Sequence, residues 1–168
     1  TTVRGAGKGV EWAGPGTGWL VEKPVVGTLG RGGGLGEGGR RAGGGVVVGE
    51  YRSSGLHMQR VRGIIGTGEL GRVGMVNTWC FTDWMYRPRL AAELDVELGG
   101  GTLFRQGAHQ FDILRLLCGG RVRSVRAKAF DWDPKRRAIG AHMAFVEFDN
   151  GAAASAVYNG YGGLSSMD

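Results

Sequence analysis

Residues Gly99–Gly120, GGGTLFRQGAHQFDILRLLCGG, decide how this chain reads as a fold. Three glycines lead into Thr102, whose hydroxyl is of the type that accepts a backbone N–H at a helix start, and Gly119-Gly120 supply the left-handed stop that ends one. The spacing predicts an amphipathic helix between them. Leu103, Phe111, Leu114 and Cys118 recur at helical intervals as an apolar stripe, whereas Arg105, His109 and Asp112, four and three residues apart, share a different face. That polar triplet reads in two ways: as a solvated Arg–His–Asp hydrogen-bond ladder, or as a set that does chemistry.

Working outward, Val73, Met75, Asn77, Trp79 and Phe81 alternate with Val76, Thr78 and Cys80, the period of a strand with one covered face. Val122–Phe130 and His142–Phe148 read as further strands, and Asp149-Asn150-Gly151 supplies an Asn-Gly hairpin turn into Ala152–Tyr158. Strands gathered around one helix predict an α+β arrangement, an open and mostly antiparallel sheet covered on one side. The last strand is expected to lack a neighbour and so to form an exposed edge.

The N-terminal part is dominated by glycine. Gly27–Gly45 carries the residues of a helix at only a few positions, and each glycine in a helix interior costs about 0.8–1 kcal/mol relative to alanine. Three readings stay open: a weakened helix, a disordered segment, or glycines written in place of other side chains. Further upstream, Glu11–Trp19 with its Gly-Pro-Gly breaks what would be a strand into Leu20–Pro24. GAGKG has Val10 where a dinucleotide fingerprint needs its third glycine, and Gly9 where a phosphate loop needs Ser or Thr. GPGTG has Trp19 at the fingerprint position.

Several motifs in order resemble one family. VEKP at Val21–Pro24, VVVG at Val46–Gly49, GTGELGRV at Gly66–Val73 and the triple glycine followed by HQFDILRLLCGG resemble the Gfo/Idh/MocA family of NAD(P)-dependent oxidoreductases. RQGAHQFD with the later RVRSVRA and DWDP is most similar to the branch acting on dihydrodiols of phthalate-type aromatic acids. The resemblance implies that residues 1–70 are the remnant of a Rossmann domain and that residues 71–168 are part of an α+β substrate and oligomerisation domain. It implies NAD or NADP as cofactor, a small alcohol as substrate, His109 as the proton-transfer residue and Lys23 as its positively charged partner. Glu22, Lys23 and Pro24 would face the cofactor. An imidazole titrating near neutrality suits the first role and a compact ammonium the second. Where the family places an aspartate one turn before the histidine, this chain has Arg105. Arg105 offers a bidentate fork to a substrate carboxylate or a salt bridge to Asp112. Asp112 would orient the imidazole, bind substrate or cap local donors, and His57 and His142 are expected to be structural.

Composition narrows the alternatives. A chain of 168 residues holds one core with a small appendage. Its 21 basic and 15 acidic residues give a net charge of +6, but the two signs are interspersed and LGRGGGLGEGGRRAGGG lacks the aromatic interleaving that stacks bases, so nucleic acid is not the expected partner. No apolar run approaches the length of a membrane span and no secretory leader is visible, from which a cytoplasmic location is expected. Cys80 and Cys118 lack metal-ligand spacing and read as packed thiols, with no metal expected. Two functions of different class remain, an oxidoreductase or a non-catalytic module whose open sheet, through self-association, makes a homo-oligomer.

Overall fold

The computed structural model describes residues 16, 18–22, 29–41, 43–163 and 166, without the side chains of Trp19, Glu22, Leu29 and Arg31. It begins with a parallel pair, β1 (Trp19–Glu22) and β2 (Val46–Gly49), joined by a crossover helix α1 (Leu29–Arg41). Glu22 pairs with Gly49, so both strands end at the same level. Seven of the thirteen residues of α1 are glycine, yet the segment is helical, as the weakened-helix reading expects and the disordered reading does not. Packing on the strand offsets part of the glycine penalty. Leu35 is buried, and Gly39 lies so close to β2 that a Cβ there would stand 2.7 Å from Val46 Cγ2. An exposed Glu37–Arg41 pair at 3.2 Å, with Arg40 and Arg41 in the last turn where cations favour the helix dipole, adds a few tenths of a kcal/mol.

After β2 come two short helices, α2 (Tyr51–Ser54) and α3 (Leu56–Gly66), separated by the extended Gly55. The second sheet contains β3 (Met75–Phe81), β4 (Val122–Phe130), β5 (Ala141–Phe148) and β6 (Ala153–Asn159) in the spatial order β3-β6-β5-β4. Between β3 and β4 lie α4 (Ala91–Leu94) and α5 (Ala108–Cys118). Pairs β4–β5 and β5–β6 are antiparallel, while β3 runs parallel to β6 from Met75↔Ala153 to Phe81↔Asn159.

That parallel ladder corrects one expectation. The last strand, β6, is central, and the edges are β3 and β4. A parallel pair needs a crossover, and here α4, α5 and the β4–β5 hairpin provide it, a long-range pairing that local periodicity does not report. The β4 edge carries Arg123, Arg126 and Lys128, charges that oppose strand addition. One face of the sheet packs on α5. Leu114 and Cys118 meet Ala144, Val146, Phe148, Ala154 and Ala156, and the alanines let the helix sit close. The other face is open, with Met75, Trp79, Met143 and Phe145 exposed.

The start of the helix also departs from expectation. Thr102 has helical φ/ψ and no capping bond; its N–H and hydroxyl both donate to Ile139 O, at 2.7 and 3.0 Å. Gly101, at φ +84° and with space for a Cβ only 2.8 Å from Ile139 O, makes this close approach possible. The following turn, Leu103–Gly107, is π-helical, a wider turn often found at functional sites. The C-terminal end is as expected. Gly119 is left-handed at φ 73°, and Asn150 of the hairpin turn donates from Nδ2 to Cys118 O at 2.7 Å.

Candidate active site

Glu50 follows directly on the end of β2, and its Oε1 meets His109 Nδ1 on α5. Both side chains are largely withdrawn from water, at 16% and 6% exposure. Tyr51 meets the same imidazole edge-on, with centroids 5.1 Å apart. With Nδ1–H given to the carboxylate, the lone pair of the neutral ring lies on Nε2, which is the arrangement that lets a histidine take a proton. The histidine is thus fixed by residues some sixty positions earlier in the chain.

The other expected residues are distributed differently. Arg105 Nη1 lies 3.8 Å from Glu93 Oε1, an oxygen that Arg89 Nη1 also approaches at 3.4 Å, while Glu93 Oε2 accepts from Leu90 N. The wide turn Leu103–Gly107 carries Arg105 to this Glu93 cluster, so its ion pair is with Glu93 and not with Asp112. Asp112 is half-buried, and its Oδ2 has no hydrogen-bond partner among the described residues. The carboxylate that meets the imidazole is that of Glu50 and not that of Asp112. Lys23 and Pro24 lie outside the described residues, as does the side chain of Glu22. His57 is exposed on α3.

A cleft of about 220 Å³ opens beside His109, lined among others by Arg52, Thr78, Trp79, Gln106 and Ile113. Behind it lies a buried polar chain. Gln110 Nε2 donates to Val157 O at 3.0 Å, which turns its Oε1 toward His142 Nε2 at 3.1 Å. His142 is therefore the donor. It is stacked against Phe111 and Tyr158, and burial lowers its pKa to about 4. Burial also pushes the Tyr158 phenol up, against a 2.7 Å hydrogen bond with Thr82. His142 and Tyr158 are both neutral at pH 7, leaving His109 as the histidine at the cleft. Burial raises both thiols too, and Cys80 and Cys118 are free.

Sequence reasoning missed Glu50, Arg52 and Gln110. For the first a signal existed, because ligands of parallel α/β units bind just beyond the carboxyl ends of the strands, and Glu50 stands immediately after VVVG.

The Gfo/Idh/MocA C-terminal domain matches residues 58–161. This chain belongs to the Gfo/Idh/MocA family. It is 42% identical over 147 residues to a 1-carboxy-3-chloro-3,4-dihydroxycyclohexa-1,5-diene dehydrogenase of Comamonas testosteroni, a match covering 88% of this chain and 37% of that protein. A structure from Bordetella bronchiseptica RB50 described as that of a dehydrogenase superposes with a TM-score of 0.84 at 35% identity, covering 98% of this chain and 41% of the other. The fold also matches the WlbA dehydrogenase of Bordetella pertussis, solved in complex with NADH and UDP-GlcNAcA, with a TM-score of 0.81 at 22% identity and coverages of 96% and 48%. The chain spans less than half the length of each of these three proteins. Among the described residues no helix is long and apolar enough to cross a membrane.

Proposed function

We propose that this chain forms the catalytic-helix part of a cytoplasmic dehydrogenase that oxidises a carboxylated cyclic diol with NAD or NADP. The observation that carries the reading is the Glu50–His109 contact, which places a buried imidazole at the carboxyl end of a parallel β–α–β unit. Dinucleotides bind at such strand ends in doubly wound folds, so the residues present fit the nicotinamide side of a cofactor site. Residues 1–70 would contribute the dinucleotide-domain remnant, with Glu22, Lys23 and Pro24 facing the cofactor, and residues 71–168 the substrate domain. The name of the Comamonas testosteroni relative supports a ring bearing a carboxylate and adjacent hydroxyls.

Bound NAD or NADP supplies the hydride acceptor. As the carbinol carbon gives up hydride and becomes a carbonyl, His109 Nε2 takes the hydroxyl proton. Glu50 holds the ring through Nδ1 and stabilises the imidazolium that forms. Lys23 would stabilise the developing alkoxide as a positive charge. The open sheet face with Trp79, Met75, Met143 and Phe145 suits a homo-oligomer interface, because a cluster of exposed apolar side chains is costly to leave in water. Adding a carboxylated cyclohexadiene cis-diol and NAD or NADP to the intact protein carrying this chain should produce absorbance of reduced nicotinamide, and its absence with both cofactors would refute the reading.

A further inference from the structure

We infer that Arg52, not Arg105, receives the carboxylate of the substrate in the cleft beside His109, an assignment that rests on the dehydrogenase reading above. Among the described residues lining that cleft, Arg52 is the only one with a permanent positive charge. The Arg52 charge acts on Cys80 and Tyr158, favouring the anionic form of each against burial, so its field reaches across the cleft to β3 and β6. Arg105 is absent from the lining and faces Glu93, whose carboxylate it shares with Arg89.

The rest of the cleft suits the same ligand. Ile113 supplies apolar surface for a ring, and Thr78 and Gln106 supply hydroxyl and amide groups for its polar substituents. A cavity of about 150 Å³ holds benzene, so 220 Å³ has room for one six-membered ring with a carboxylate. The cation and the proton acceptor line one space, so a ring held by its carboxylate on Arg52 presents its hydroxyls toward His109.

The test combines binding with turnover in the intact protein. Benzoate and the uncharged benzamide are titrated calorimetrically against wild type, Arg52→Gln, Arg52→Lys and Arg105→Gln. A carboxylated cis-dihydrodiol and its carboxamide analogue are compared as substrates. Arg52→Gln should weaken benzoate about ten- to hundredfold and benzamide little, with the same selectivity in kcat/KM. Arg52→Lys should recover part of the loss, since it keeps the charge without the fork. Arg105→Gln should affect the charged and neutral members of each pair equally. Equal losses for Arg52→Gln on both members, or selective loss for Arg105→Gln, would overturn the assignment, as would wild-type protein that does not bind benzoate. Selective loss of benzoate binding in a protein that turns over neither diol would uphold Arg52 as a carboxylate site and refute the dehydrogenase reading alone.

Discussion

Glu50 and His109 join the two halves of this chain, the carboxylate coming from the end of β2 and the imidazole from α5. The contact sets which nitrogen of the ring is exposed to chemistry, and it ties the position of the catalytic-type helix to the end of the parallel strands. Replacing the carboxylate by an amide keeps the shape and removes the charge that stabilises the imidazolium. Glu50→Gln should therefore lower kcat about 10- to 100-fold with little change in KM, as measured by steady-state kinetics. An unchanged kcat would mean that the pair is structural only.

The glycine-rich helix predicts opposite outcomes at neighbouring positions. Gly33 and Gly34 have no atom within 4 Å of a prospective Cβ, so Ala at either should stabilise the chain by about 0.5–1 kcal/mol. Gly39→Ala would drive a methyl group against Val46 and should destabilise it. Urea denaturation distinguishes these directions. Stabilisation by all three substitutions would show that α1 does not pack on β2 as described.

His142 makes stability depend on pH. Its folded pKa of about 4 lies below the ordinary value of 6.5, so between these limits the unfolded chain binds a proton that the folded chain does not. The contribution is complete above pH 6.5 and is lost as pH falls toward 4, a difference of up to about 3 kcal/mol. Replacing His142 with Gln should flatten that part of the stability profile in urea titrations at stepped pH. A profile equally steep in the variant would assign the dependence to other groups.

Much of the fold was legible because local chemistry repeats. The Asn-Gly turn, the alternation of β3 and the stripe Phe111, Leu114 and Cys118 each signal through short-range spacing, and Gly119 marks the helix end through its left-handed φ. What was not legible depends on long-range pairing. The second neighbour of β6, beside its hairpin partner β5, is a strand some 78 residues earlier, which no periodicity reveals. Thr102 has the right residue type for a cap, but its N–H and hydroxyl are drawn to Ile139 O, a tertiary partner that outweighs the local preference. The same limit applies at the site: His109 stood out through its helix, whereas its partner Glu50 lies on another element, and the π-helical turn moved Arg105 away from the face that regular spacing had given it.

The central claim is that His109 accepts the proton as hydride leaves the substrate. The most direct measurement is turnover of a carboxylated cyclohexadiene cis-diol by the intact protein with cofactor, wild type against His109→Ala, with cofactor affinity determined alongside. The account predicts a fall in kcat of about 100- to 10,000-fold with cofactor binding retained. A variant that turns over the diol at the wild-type rate would contradict it.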